Sequence, residues 1–486
     1  LTRERTYLLA LVLLVSAGLI VYSQTFAFAW DEGFHLLAAQ LILRGMRPYL
    51  DFFHAQTPLY AYWNAFWMRL FGDTWRTAHL VSSVCTTLAV WLTGSYVLDR
   101  FNGGIWRKNW RVPLAMAAVL LTGLNSQIVE FGTIGQAYGL CLLAIVGAFR
   151  FTVANVKRDD AFFALGAGFC AGAAAASSLL TAPMGPVLFI WMLLAPGARL
   201  KRALAFLIGS LIPFLPLIRL FLKNPKVVFF GAVKFHLFYR TVDWSESGKQ
   251  NLEVATNWLE SPHAMVMGLL VLLGLIFLAR NDIPVALRGE LHLCLWLCVV
   301  EGAYLLYVRP TFDRYYLFIV PFVAIISTIG LYYAGTHIGR PEKPRWTMGL
   351  LFVILSLAIG KTVYGSKSDY RWKDWEKIAA KVNEVTRPDG LIYADEAVFF
   401  ITKRQPPSGM EYADTHKLHL SNELEAQLHI FPKEELLKRV KGEVYDTVAT
   451  CEDDDKMTEQ NLPTNYKQKI TIGDCAVFWD KDKATR

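Results

Sequence analysis

Two adjacent carboxylates, Asp31 and Glu32, stand directly after an apolar run in the stretch WDEGFHLLAAQLILRGMRPYLDFFHAQTPLYAYWNAFWMRLFG, residues 30 to 72. A third acid, Asp51, follows a turn-like Pro48-Tyr49. An acid abutting a membrane span either stays hydrated or finds a partner. These acids therefore belong at a membrane surface, where they can do chemistry on a lipid head group. The plainer reading is a hydrophilic loop whose acids are solvated.

The elements that must position them follow at once. Phe34, Leu37, Ala38, Leu41 and Ile42 recur at helical spacing on one face, and Arg44-Gly45 closes the segment. After Pro58 a second helix carries Leu59, Trp63, Phe66, Trp67 and Leu70, an aromatic face suited to the bilayer interface.

The whole chain fits a membrane setting. Its 486 residues are 54% hydrophobic with a mean hydropathy of +0.32, which excludes an ordinary soluble enzyme. About 20 apolar residues cross a bilayer, and eleven apolar runs lie between Tyr7 and Ser366. They fall near residues 7–29, 74–97, 112–124, 133–153, 160–177, 183–195, 203–222, 263–279, 291–308, 313–334 and 346–364. The fifth and sixth are rich in Ala and Gly, which allows close helix packing, and Pro213 and Pro216 predict kinks in the seventh.

The net charge of +8 is divided unequally. From Ser366 onward there are 19 Lys and Arg against 23 Asp and Glu, whereas the preceding residues carry 30 against 18. The basic excess lies in alternate loops, such as DRFNGGIWRKNWR at 99–111, and reads as topology rather than nucleic-acid binding. It places the N-terminus in the cytoplasm and the tail outside, and the absence of any N-x-Ser/Thr sequon fits a bacterial inner membrane. The expected fold class is mainly α: a polytopic bundle over 1–366 with its working first outer loop at 30–75, then an extracytoplasmic α/β domain over 367–486.

In the tail, Trp372, Trp375, Ile378, Ala379, Val382 and Val385 form a helical stripe. Leu391–Ala394, Val444–Ala449 and Ala476–Trp479 read as strands, and Phe431-Pro432 starts a helix that Gly442 ends. His416, His419 and His429 read as surface residues, because no Cys or acid spacing joins them into a metal set. Five cysteines lie in apolar runs. The other two, Cys451 and Cys475, border strand-like runs in a tail expected to face an oxidising compartment, so they are expected to form a disulfide.

At Asp31-Glu32, Arg47-Pro48-Tyr49, Asp51-Phe52-Phe53, Gln56-Thr57-Pro58-Leu59-Tyr60 and Phe312-Asp313-Arg314-Tyr315-Tyr316, the sequence resembles the membrane glycosyltransferases of the GT-C superfamily. It is most similar to their bacterial dolichyl-phosphate-mannose-protein mannosyltransferase-like branch, families 39 and 83. The likeness spans residues 1 to 366. It implies a polyprenyl-phosphate-linked sugar as donor, inversion at the anomeric carbon, and an acid at the start of the first outer loop as base, which maps onto Asp31. The acceptor class stays open among lipid, glycan and protein.

Sugar transfer to a hydroxyl needs a base for its proton and a group to stabilise the departing phosphate. Asp31 is the expected base, with Glu32 assisting through hydrogen bonds or through a divalent metal ion that the two acids would share. Asp51 is expected to orient the acceptor or to complete a cation site. Arg314 with Tyr315 is expected to hold the donor phosphate, or else to anchor the chain at the interface. Lys234, His236 and Arg240 are candidates to close over the phosphate, and Glu130, Gln136 and Tyr60 to line the cavity. Glu301, inside the ninth run, needs a partner or a watery cavity. The rival class is a non-enzymatic polyprenyl-phosphate carrier or flippase, for which matched broken helices in two halves are expected and are not seen in the sequence.

Overall fold

A computed structural model describes residues 2–239, 247–280, 283–365, 371–412, 415, 418, 420–442, 444–451, 466–473 and 475–480. Of the residues singled out above, Arg240, His416 and His419 lie outside the described residues.

Among the described residues eight helices are long and apolar enough to cross a membrane: Arg3–Thr25, Trp75–Arg100, Tyr138–Arg158, Arg199–Lys223, Pro262–Arg280, Val285–Tyr307, Asp313–His337 and Pro344–Gly365. The chain is a multi-pass membrane protein. The three remaining expected runs are helical but shorter: Arg111–Gly123, Ala161–Ser177 and Met184–Leu194. At 1.5 Å per residue the 13-residue helix reaches only ~20 Å, less than the ~30 Å hydrocarbon layer. The kink expected at Pro213 is a single 3-10 turn, Ile212–Phe214, between Arg199–Leu211 and Leu215–Lys223.

The chain forms two compact units. The first comprises Leu1–Ala27, His79–Leu217 and Arg240–Ser368. Close packing of its Gly-rich helix is explicit here: a Cβ at Gly168 or Gly172 would collide with the backbone of Phe206 or Ser210 on the helix Arg199–Leu211. Van der Waals contact at such small residues is what drives helices together in lipid. A buried ion pair also links two of its helices. Arg100 Nε donates to Glu290 Oε2 at 2.6 Å, and the Tyr96 hydroxyl donates to the same oxygen at 2.9 Å.

The second unit comprises Phe28–Ala78, Ile218–Tyr239 and Asp369–Arg486. Its sheet has the order β1-β2-β4-β3, with β1 Ile392–Tyr393, β2 Thr447–Cys451, β3 Gln468–Ile472 and β4 Cys475–Trp479. β1 runs parallel to β2, and β2–β4 and β4–β3 are antiparallel. The stripe from Trp372 to Val385 is wholly buried, as its spacing predicts. β3 adds a strand beyond those expected, with four of its five residues exposed.

The two helices between the first two long apolar helices differ from each other. Leu59–Phe71 buries Tyr60, Ala61, Asn64, Ala65 and Met68 and leaves Phe66, Leu70 and Phe71 exposed, as an interfacial helix should. Glu32–Leu43 was expected to bury one face only. Instead nine of its twelve residues are buried, because the tail helix Glu396–Thr402 lies against it. The approach is close: a Cβ on Gly33 would stand 3.0 Å from the Ala397 nitrogen.

Cys451 and Cys475 are joined by a disulfide, facing one another in register across β2 and β4 with Cα atoms 4.1 Å apart. The bridge closes a loop with a sequence separation of 24. Loop-closure entropy puts its contribution at roughly 3 kcal/mol. Cys451→Ser/Cys475→Ser should therefore lower the unfolding midpoint of the tail by several degrees, read by thermal unfolding with and without reductant. An unchanged midpoint would show that the cross-link constrains little.

Candidate active site

Asp31 occupies the N-cap position of the helix Glu32–Leu43, half-buried, and its side chain makes no cap hydrogen bond. The neighbouring Glu32 is fully buried, and its Oε1 accepts from Trp372 Nε1 at 2.7 Å and from the Ala29 nitrogen at 3.4 Å. Both bonds hold Oε1 in the interior. Among the described residues no three His, Cys, Asp or Glu side chains are grouped to hold a metal ion.

Asp51 closes its own turn. Its two oxygens meet the Arg47 guanidinium, Nε to Oδ2 at 2.8 Å and Nη2 to Oδ1 at 2.6 Å, and Oδ2 also accepts from the Arg47 nitrogen at 2.7 Å. That hydrogen bonding holds the Asp51 carboxyl below the usual carboxylate range, against the cost of partial burial. Inside the turn Tyr49 is buried at φ 64°, a left-handed conformation rare for a non-glycine residue, and its hydroxyl donates to the Gln56 carbonyl.

Two distant segments hold this loop from outside. The His429 ring pairs through Nε2 with the Leu50 carbonyl at 2.9 Å, so His429 is half-buried and structural rather than a surface residue. His236, in a π-helix over Phe230–Tyr239, pairs through Nε2 with the Ala55 carbonyl. Lys234 on the same π-helix lies 5.9 Å from the Tyr239 ring centre. Tyr60 is buried edge-on to His35, with ring centres 5.7 Å apart, on the helix that Asp31 begins.

The other candidates belong to the first unit. Arg314 stands over the rings of Phe312 and Tyr315 at 4.4 and 5.9 Å, and its backbone nitrogen donates to Asp313 Oδ1 at 2.7 Å. Gln127 Nε2 donates to Asp313 Oδ2 at 3.3 Å, which ties the short helix Ser126–Phe131, bearing Glu130, to the Arg314 segment. Gln136 is buried, and its Nε2 has no hydrogen-bond partner among the described residues. Glu301 is fully buried, and neither of its carboxylate oxygens is hydrogen-bonded among the described residues.

Sequence reasoning missed Asn251, whose Nδ2 donates to the Leu306 and Val308 carbonyls at 2.9 and 2.6 Å and whose Oδ1 accepts from the Thr311 nitrogen at 3.3 Å. From the same helix Trp258 stacks on Tyr316 at 4.7 Å. The segment bearing Arg314 is thus clasped before and after. No local pattern marks an Asn for such a task.

Crystal structures of ArnT from Cupriavidus metallidurans match this architecture over nearly its full length. The one bound to undecaprenyl phosphate has a TM-score of 0.66 at 14% identity, covering 97% of both chains. The apo form gives 0.67 at 13%, covering 98% of both. The fold is that of the GT-C membrane glycosyltransferases. A second GT-C protein, the archaeal oligosaccharyltransferase AglB from Archaeoglobus fulgidus in complex with an inhibitory peptide and a dolichol-phosphate, matches at 0.51 and 12% identity over 92% of this chain and 70% of that one. The sequence matches no protein-family model and no curated protein. At 12–14% identity the likeness is one of fold and transfers no substrate.

Two groups in the second unit give the chain a testable pH response. Burial pushes the Glu411 carboxyl up to about 7 and the His54 imidazole down to about 4. Folded Glu411 binds more protons than unfolded, so its contribution to stability falls as pH rises from 4.5 through about 7. His54 has the opposite sign: its contribution is present above 6.5 and is lost as pH falls toward about 4. Each shift corresponds to roughly 3 kcal/mol at about 1.4 kcal/mol per pH unit. The opposing slopes largely cancel in the wild type. Glu411→Gln should unmask a fall in the unfolding midpoint on acidification, and His54→Asn a fall as the pH is raised. Equal pH profiles in both variants would contradict this assignment.

Proposed function

We propose that this chain is a membrane glycosyltransferase that moves a sugar from a polyprenyl phosphate to an acceptor hydroxyl, with inversion at the anomeric carbon. The observation that carries the reading is the position of Asp31: a half-buried acid at the start of a rigidly packed helix, in a GT-C fold. Asp31 takes the acceptor proton as the hydroxyl oxygen attacks the anomeric carbon. The bond to phosphate breaks on the opposite side, and the polyprenyl phosphate leaves with its electrons. Arg314 then serves the departing phosphate, with Tyr315 supporting it.

Glu32 and Asp51 have different parts. Glu32 orients the start of the helix, and Asp51 shapes the RPYLD turn through Arg47. The ArnT structure with undecaprenyl phosphate and the AglB structure with a dolichol-phosphate support a polyprenyl phosphate as carrier. A lipid, glycan or protein hydroxyl is the acceptor. The chain lies in a bacterial inner membrane with its N-terminus inside, and the basic bias of alternate loops together with the tail disulfide supports a tail outside.

The test is turnover. Purified chain in detergent or nanodiscs, given polyprenyl-phosphate sugars with radiolabelled hexose or pentose and an envelope extract as acceptor, should transfer label and release polyprenyl phosphate. Exchange of labelled lipid between leaflets without release of polyprenyl phosphate would instead support a carrier.

A further inference from the structure

We propose that the tail aims the base: Trp372 is a positioning residue for Asp31, acting through Glu32. The proposal rests on the reading of Asp31 as base and assigns the tail a part in that site.

Asp31 is bracketed by two residues, and each is gripped by a tryptophan of one tail helix, Trp372–Val385. On one side Trp30 packs edge-on against Trp375, with ring centres 5.3 Å apart. On the other, the fully buried Glu32 takes the Trp372 indole N–H at 2.7 Å. Trp372 and Trp375 are three residues apart and so lie on one face of their helix. A flanking pair held in this way fixes the backbone at Asp31 from both directions, since consecutive Cα atoms stand about 3.8 Å apart.

The grip is rigid because Trp372 is itself immobilised. It is 1% exposed, stacked on Trp75 at 5.6 Å with ring planes 8° apart, and met edge-on by Phe28 at 5.7 Å and Phe400 at 6.1 Å. Trp75 is held in turn, its Nε1 donating to Glu376 Oε1 at 2.9 Å. A fully enclosed carboxylate is costly unless its oxygens are hydrogen-bonded, so Glu32 cannot turn away from the indole without loss. A general base must come within hydrogen-bond reach of the proton it takes, and a displacement of about 1 Å can cost on the order of a hundredfold in rate. The single N–H from the tail therefore acts on turnover rather than on substrate binding.

Trp372→Phe keeps an aromatic ring and removes the N–H. Measured on the full-length protein in nanodiscs, kcat should fall by about tenfold or more while the KM for the polyprenyl-phosphate sugar stays within about threefold. Glu32→Leu, which also removes the bond from the Ala29 nitrogen, should lower kcat at least as much, and Trp372→Phe combined with Glu32→Leu should lose no more than Glu32→Leu alone, because both remove the indole–carboxylate contact. Glu32→Gln keeps an acceptor oxygen and should retain more kcat than Glu32→Leu. Backbone amide exchange in the substrate-free protein should quicken over residues 30–36 in Trp372→Phe.

Wild-type kcat in folded Trp372→Phe, or losses that multiply in the double variant, would overturn the proposal, as would unchanged exchange over 30–36. Should Asp31→Asn turn over normally, the base assignment fails instead. The exchange measurement still decides whether Trp372 holds this backbone.

Discussion

Asp31→Asn is expected to leave the protein folded in the membrane with donor binding nearly intact, while sugar transfer falls by roughly a thousandfold, the scale of a lost general base. The amide has nearly the shape of the carboxylate but cannot take a proton at neutral pH. Since Asp31 makes no side-chain cap to the helix it begins, the exchange removes no helix-capping bond. The loss should appear in kcat, with the protein still folded and a labelled polyprenyl-phosphate sugar still binding. Asp51→Asn provides the contrast. It weakens a pair with Arg47 that shapes a turn, so it should cost stability and a smaller part of the rate. Near-normal turnover by purified Asp31→Asn would remove Asp31 from the mechanism.

Arg314→Ala should weaken binding of the donor by about ten- to a hundredfold, the scale of one charge-assisted hydrogen bond to a phosphate, with a much smaller effect on the acceptor. Its guanidinium lies over Phe312 and Tyr315 rather than in bulk water, and Asp313 beside it is tied to Gln127. Those contacts hold it in one orientation at the start of a span. Arg314→Lys should recover part of the affinity, since the charge remains while the planar, two-pronged geometry is lost. Isothermal titration with polyprenyl phosphate, alongside thermal unfolding, separates the outcomes. Unchanged donor affinity with a lowered midpoint would make Arg314 an interfacial anchor.

Much of this was legible in the sequence because the signals are local. A run of apolar residues reports a helix in lipid whatever it packs against, so all eleven runs appear as helices, three of them shorter than the rest. The stripe Trp372 to Val385 is periodic, so its burial follows from spacing. The pairing of Cys451 with Cys475 follows from two strand-like runs that can be neighbours.

The candidate site was legible in its residue types but not in their partners. Asp31 and Glu32 are adjacent and chemically alike, and nothing local distinguishes them. Tertiary structure does: one stays half-buried at the start of the helix, and the other turns inward to an indole 340 positions away. Asp51 meets Arg47, four residues earlier, through both its oxygens, a pairing set by how the turn folds. The helix Glu32–Leu43 has the pattern of a half-exposed element, yet the tail covers its second face. Periodicity records which residues share a face, and composition records what solvent a segment tolerates. Which distant group meets a given carboxylate depends on how separate segments pack, and only the folded chain decides that.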